Sequence, residues 1–385
     1  MIVCRGSAVK EKTSRAQARS FSGQPQGRRL RFHVVMSDAK PNLLKADAPA
    51  IAGFSDTSPR AATPPDHNRI GLDYRKPMPR PKVNGLVIDF HTHLLAARHA
   101  AVWFEAAAHF GIDAFVTMTP LEEALGLQRD WPGRFHFITI PRWQEPSIDD
   151  WLRRLEMFYN LGSRIIKFHM APGTMQRTGW RLDSAPIRRV IDEAVARNMI
   201  LMTHVGDPDL WYNGKYAADP AFGNREDHYK MWTDVMGSVI ERPWLGAHLG
   251  GNPENLGRLQ ELLDRFPNLS LDISATRWMV REVSARRDAA REFVIRNQDR
   301  LIFGSDQVSG DDRGFDFLAS RFWCHRKLWE TAYVGPTPIR DADLPDDKQP
   351  LLQGLALPDT VLQKVYHSNG LKLLARVNAG FGGWG

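Results

Sequence analysis

The chain of 385 residues is 43% apolar and 25% charged, a globular composition that excludes a wholly disordered, collagen-like or disulfide-stapled protein. Its two cysteines, Cys4 and Cys324, lie far apart in sequence, which points to a reducing, cytoplasmic setting. The net charge of +7 resides in residues 1–35, where eight basic side chains oppose Glu11 alone. The remainder is neutral, so neither a nucleic-acid face nor a membrane span is expected.

Residues 1–35 are rich in Arg and Ser and poor in acids. Three readings of this basic tail stand side by side: a targeting segment, a disordered extension, or a true start at Met36. Residues 36–84 are rich in Pro, Ala, Ser and Asp and end in Pro77, Pro79 and Pro81. They are expected to form a loose arm over the surface. Order is expected from Gly85, because all twelve tryptophans follow it and residues 85–385 are long enough for a large domain.

Short β-rich runs then recur at Leu86–Phe90, Ala114–Met118, Phe135–Ile140, Arg164–Phe168, Ile200–Thr203, Trp244–Ala247, Leu269–Ile273 and Leu301–Gly304. Helical periods separate them, as at Ile148–Leu161, Ile187–Ala196 and Leu256–Phe266. Strand–helix alternation without hairpin turns predicts parallel βαβ units, and eight of them predict an α/β fold, the (β/α)8 TIM barrel. The alternative is an open doubly wound sheet. No Gly-x-Gly-x-x-Gly follows the first run, which weakens it.

In such a barrel, chemistry gathers where the strands end. The first run continues into Asp89-Phe90-His91-Thr92-His93, the fourth ends Lys167-Phe168-His169, and the fifth ends at His204. The sixth ends at His248 before Gly250-Gly251, and the eighth ends Gly304-Ser305-Asp306. His91 and His93 are two apart and share one strand face, with Asp89 beside them. Imidazoles and a carboxylate together suit zinc and similar divalent metals. A lone His-x-His says little, but this ordered set at four strand ends is specific.

The set and its flanks (Val87-Ile88-Asp89-Phe90-His91-Thr92-His93, Gly246-Ala247-His248-Leu249-Gly250-Gly251 and Phe303-Gly304-Ser305-Asp306) resemble the amidohydrolase superfamily over residues 85–375. The likeness is to the amidohydrolase-related group that includes aminocarboxymuconate-semialdehyde decarboxylase. The C-terminal Val365–Leu374 run is similar to that group's final helix, with Asn369-Gly370 where Asn-Ala is more usual.

The resemblance implies one divalent metal, zinc or else manganese, held by His91, His93, His204 and Asp306. It implies His248 as a catalytic histidine, and Asp306 as the acceptor of a proton from metal-activated water. Asp89 would orient the ligands from below. Lys167 is open to two readings: a carboxylated bridge to a second metal, or a partner for a substrate carboxylate. His169 shares its face. The residues 206–226 after strand five, with Asp207, Trp211, Tyr212, Lys215 and Tyr216, are expected near the site as a lid or a solvated loop. Arg277 and Trp278 could meet an anionic or aromatic substrate. Residues 307–350 read as a polar, Pro-rich excursion holding Trp323 and His325 that covers the site or serves an oligomer contact. Two reactions fit the ligands: hydrolysis of an amide, ester or lactone of a small molecule, and non-oxidative decarboxylation of a small carboxylic acid. A homodimer is compatible with the resemblance; a nucleic-acid or membrane partner is not expected.

Overall fold

The computed structural model describes residues 66–381, apart from Pro77. The expected basic tail 1–35 and most of the arm 36–84 lie outside the described residues. The strands are β1 Ile88–His93, β2 Ala114–Thr117, β3 Phe135–Thr139, β4 Ile165–His169, β5 Ile200–His204, β6 Trp244–Gly246, β7 Leu269–Asp272 and β8 Leu301–Ile302. Each falls on a run read from the sequence. All pair in parallel with their chain neighbours, from β1·β2 through β7·β8. Their residues are almost all buried, apolar in the main with polar side chains gathered toward the strand ends, as a parallel sheet covered on its outer face by helices allows.

The ring closes through the first and last strands. Phe90 N–H donates to Phe303 O at 2.9 Å. A short strand β9, Gln307–Val308, resumes beyond β8 and pairs in parallel with Thr92 and His93. Gly304 makes this closure possible. A Cβ placed there would lie 2.7 Å from that of His91, so the returning chain comes close to β1 only without a side chain.

The helices that pack outside the barrel follow their periods. Helix Ile148–Asn160 buries Trp151, Leu155 and Phe158, is capped by Ser147 accepting from Asp150 N–H, and carries Asp149 and Asp150 in its first turn. Helix Leu256–Arg265 buries Leu259, Leu262 and Leu263 and is capped by Asn255.

Three expectations about the connecting chain change. The chain is already packed before Gly85: Tyr74 is buried in the core, its hydroxyl donates to His67 O at 2.8 Å, and Leu72, Met78 and Val83 pack against the core. A few apolar residues at turn positions suffice to attach an otherwise polar segment. The second change concerns residues 307–350. They contain the helix Phe315–Glu330, whose buried face is mostly apolar but includes Ser320, His325 and Arg326, and the antiparallel pair β10 Val334–Pro336 and β11 Leu351–Gln353. Third, His325 and Trp323 are buried in that helix and so serve neither as a cover nor as an exposed contact.

His325 is satisfied only as a neutral ring. Its Nδ1 accepts from Trp329 Nε1–H at 3.1 Å, which leaves Nε2–H to meet Thr276 Oγ1 at 3.0 Å. Burial pushes its pKa down to about 4. His136 is alike: its Nε2 accepts from Arg164 N–H at 3.2 Å, and burial, with Arg164 nearby, lowers it to about 4.

Two stability measurements follow. Between pH 6.5 and 4 the unfolded chain protonates these histidines while the fold does not, so stability falls as pH is lowered across that window. The loss is roughly 2–3 kcal/mol per histidine at most. Denaturant unfolding at pH 7, 5.5 and 4 checks it, and a flat profile would contradict the assignment. Gly251 has φ +73° and abuts the Gly206 carbonyl where a Cβ would sit, whereas Gly237 has open space around it. Gly251→Ala should therefore cost about 2 kcal/mol or more. Gly237→Ala, inside a helix, should be neutral or stabilising by up to about 1 kcal/mol.

Candidate metal centre and active site

The strand ends open onto a cavity of about 770 Å³ lined by His91, His93, Lys167, His169, His204, His248 and Asp306. The candidate ligands and catalytic residues read at the strand ends therefore reach one space. Period-two alternation places His91 and His93 there from β1, and Lys167 and His169 from β4. The parallel register sets His169 directly beside His204. Their rings lie 4.6 Å apart, and His204 and His248 4.5 Å.

The group is organised by a residue the sequence reading passed over, Asp272 at the end of β7. Its Oδ2 lies 2.9 Å from His91 Nδ1, and its Oδ1 accepts from His248 N–H at 2.9 Å. The Ser274 hydroxyl also bonds to Oδ1. Burial alone would raise this carboxyl, but His91, His248 and Lys167 outweigh it and hold the group well below the usual carboxylate range. An ionised Asp272 only accepts, so protons on its partners are assigned. The Ser274 proton points to Asp272, and Ser274 Oγ in turn accepts from His248 Nδ1–H at 2.7 Å. The His248 Nε2 lone pair is left over. His91 donates through Nδ1, so its Nε2 is also a lone pair. A buried acid within an otherwise apolar barrel run, two before a serine, was the available signal.

His91 Nε2 and His93 Nε2 lie 3.2 and 3.1 Å from the same oxygen of Asp306, and these donor atoms are all within 4.8 Å of one another. Burial lowers the His91 pKa, so a neutral His91 turns a lone pair toward an anionic oxygen. Such an arrangement is costly unless a cation joins the donors. Burial also opposes ionisation of Asp306, yet its bond with His93 and the charges of His91, His93 and Lys167 hold it well below the usual range. Two imidazole nitrogens and a carboxylate fit a divalent metal. A second group, His91, His248 and Asp272, satisfies the same distance. Its atoms are already joined by the hydrogen bonds through Ser274.

His204 faces the cavity, but its Nε2 is engaged with Asp207 Oδ1 at 3.0 Å, and Tyr216 donates to the other Asp207 oxygen at 2.5 Å. This leaves its Nδ1 for the site. His204 is not part of either close donor group. The expected lid region thus touches a ligand candidate through Asp207, while Tyr212 bonds with His228 at 2.7 Å. His169 Nδ1 meets Thr174 Oγ1 at 2.7 Å. Lys167 Nζ is 3.5 Å from His91 Nε2, and burial, opposed by Asp272 and Asp306, lowers it to about 8. Asp89 lies below the rim, its Oδ1 accepting from Ser305 N–H at 2.9 Å and His91 N–H at 3.3 Å. Burial raises its pKa to about 7.

His248 and Asp306 both carry left-handed backbone, with φ of 56° and 55°. Such strain in residues other than glycine is held only where neighbouring bonds fix it, here Asp272 under His248 and His91 O accepting from Asp306 N–H at 2.8 Å.

The barrel, the strand-end histidines and the acid define a metal-dependent enzyme class. The chain belongs to the amidohydrolase family, whose sequence profile, described as Amidohydrolase, matches residues 67–376. The superfamily is metal-dependent and includes hydrolases and non-oxidative decarboxylases. Among curated proteins, none matches the chain. Several solved structures are similar at low identity. A TIM-barrel protein from Bordetella bronchiseptica is 15% identical with a TM-score of 0.48, the match covering 75% of this chain and 99% of that one. The 2,6-dihydroxybenzoate decarboxylase from Rhizobium is 13% identical with a TM-score of 0.45, covering 75% and 98%. The 4-oxalomesaconate hydratase from Rhodopseudomonas palustris is 13% identical with a TM-score of 0.44, covering 76% and 97%.

Asp272→Asn should weaken metal binding about 10- to 100-fold, because the ring it holds loses its orienting anion. A competition titration with a fluorescent zinc chelator reads this directly, and an unchanged affinity would remove Asp272 from the centre.

Proposed function

We propose that the chain hydrolyses an amide, ester or lactone of a small molecule, using one divalent ion held by His91, His93, His204 and Asp306. Zinc is the ion whose nitrogen and oxygen preferences suit this set best, with manganese next. The observation that carries the reading is the convergence of His91, His93 and one ionised Asp306 oxygen on the cavity. When bound, the ion supplies a water of lowered pKa and polarises a carbonyl.

The chain's own groups have separable parts in this. Asp306 is ionised and borders the cavity, so it takes the proton of the attacking water. His248 presents a lone pair at Nε2 and is neutral, since burial and the adjacent His204 and His91 hold its pKa well below the ordinary value. Its free lone pair can relay the proton that Asp306 has taken from the water on to the leaving group. A direct hydrogen bond from His248 to a developing oxyanion needs that protonation first. Lys167 is an ammonium beside His91 that offsets the negative charge of Asp272 and Asp306. In this reading it stays uncarboxylated, and the bridge to a second metal is not used. Trp278 and Trp211, edge to face at 5.2 Å, stand over the cavity and limit water.

Among the described residues no helix is long and apolar enough to cross a membrane. A cytoplasmic setting is part of the proposal; it rests on the two distant cysteines, of which Cys324 is buried and unpaired.

Elemental analysis of protein purified without chelators should find one metal per chain, lost in His91→Ala/His93→Ala. Chelation should abolish turnover, and adding the ion back should restore it. Asp306→Asn should lower kcat about 10²- to 10⁴-fold. In a panel of esters, lactones and amides the product is an acid without carbon dioxide. Release of carbon dioxide from a carboxylated panel instead would assign decarboxylation to the same residues. Two metals per chain would reinstate the Lys167 bridge.

A further inference from the structure

One wall of the cavity is cationic to a degree the metal chemistry does not use. Arg277 follows β7, and Arg313 and Arg321 follow β9; all three line the cavity. Lys215 reaches the same side, its Nζ stacked on the face of Trp211, another lining residue, at 2.9 Å. Among the described residues Arg277 and Lys215 have no hydrogen bond or ion pair. Arg313 donates from Nη1 to Val308 O at 2.8 Å, and the one carboxylate near it among the described residues is Asp312, at 3.9 Å. Arg321 donates from one terminal nitrogen to Phe317 O and Ser320 Oγ, at 3.1 and 2.9 Å. Its other donors meet no acceptor among the described residues.

Among the described residues most arginines are paired with a carboxylate. Arg80, Arg98, Arg154, Arg188, Arg281 and Arg326, for example, each contact a carboxylate. The cavity cations are instead held by aromatic faces: Arg321 lies 3.4 Å and Arg313 5.0 Å from the ring centre of Phe317. An aromatic face steadies a guanidinium but accepts none of its in-plane N–H donors. The like charges also act on one another. Burial first, then Arg277 and Arg313, lower the Arg321 pKa to about 10. Fixed cations gathered on a concave wall, with no carboxylate among the described residues nearer than Asp312 at 3.9 Å from Arg313, are complementary to an anion. One carboxylate would leave most of this charge uncompensated. None of these side chains contacts Asp306 or the histidines, so the anion they hold is separate from the group at the metal.

We propose that this wall binds the end of the substrate remote from the scissile bond, a head group bearing at least two negative charges, either a pair of carboxylates or one phosphate. It rests on the hydrolase reading only for the orientation of that head group. Guanidinium forks match the planar edges of both anions bidentately. The substrate class is therefore a small dianionic ester, lactone or amide. Arg277, Arg313 and Arg321 determine specificity by selecting against neutral and singly charged analogues.

Calorimetric binding of benzoate, phthalate and phenyl phosphate to the metal-loaded full chain tests this. At least one dianion should bind ten-fold or more tightly than benzoate. The stronger of the two identifies the head group as dicarboxylate or phosphate. Arg277→Met and Lys215→Met should each reduce that preference several-fold while thermal melts stay unchanged; Arg321→Lys, which keeps charge and loses the fork, should reduce it too. The same titrations in the His91→Ala/His93→Ala background remove the metal as a source of anion affinity. Persistence of the arginine-dependent preference there supports the wall even if the hydrolase reading fails. Equal affinities for benzoate and both dianions, or a preference untouched by Arg277→Met and Lys215→Met, overturns the proposal, whatever the metal content proves to be.

Discussion

A single buried carboxylate, Asp272, organises the centre. It faces His91 from one oxygen and receives the His248 amide and the Ser274 hydroxyl at the other. Because an ionised carboxylate has no proton to give, its presence decides the tautomers around it. His91 and His248 both end with a lone pair on the Nε2 side. One of those lone pairs belongs to the donor group, and the other is free for proton transfer. The strained backbone at His248 is tied to the same oxygen. Remove the anion and the two rings lose both their tautomer and their position. In this way a group that touches no substrate sets the chemistry of two that border the cavity.

The barrel makes such an interaction possible. Asp272 and Asp89 are fully buried acids, and an isolated pair of these would be expensive inside an apolar core. Asp272 is compensated by its histidines and serine, and one oxygen of Asp89 by the amides of His91 and Ser305, while Asp89 Oδ2 meets no partner among the described residues. Their environments also push them apart. Asp272 stays ionised beside His91, His248 and Lys167, whereas burial, with Asp272 nearby, outweighs the bonds from Ser305 and His91 and raises Asp89 to about 7. The closure of β1 onto the chain after β8, through Gly304, brings Asp306 onto the histidines of β1. The centre therefore depends on a ring that is shut.

The cavity has two chemically distinct sides. Toward β1, β5 and β6 it presents imidazoles and an acid suited to a metal and to proton transfer. Toward β7 and the helix Phe315–Glu330 it presents arginines and aromatic faces. The first side breaks a bond, and the second chooses what is presented to it. Both are carried at strand ends and in the segments that follow them, so the second side can vary while the framework holds.

The repeated apolar runs placed all eight strands, because burial on both faces leaves continuous hydrophobic segments that are visible without neighbours. The histidines and Asp306 were likewise visible, since strand ends in a parallel barrel converge by construction. Asp272 was hidden in one of those same runs, where its value lies entirely in partners 24 and 181 residues away. The helix Phe315–Glu330 was read as an excursion because it is mostly apolar on its buried face but polar residues and flanking prolines dominate its surroundings. The packing of residues ahead of Gly85, around Tyr74, was missed because few apolar residues carry it, and their burial is a property of the surface they meet. By itself, then, the sequence determined the barrel, the inventory of donor groups and their common rim, since these follow from local periodicity. Only the tertiary structure decided which nitrogen of each histidine faces the cavity, which acid holds them, and which arginines lack a counter-ion, because tautomer, burial and charge pairing are set by contacts between distant segments.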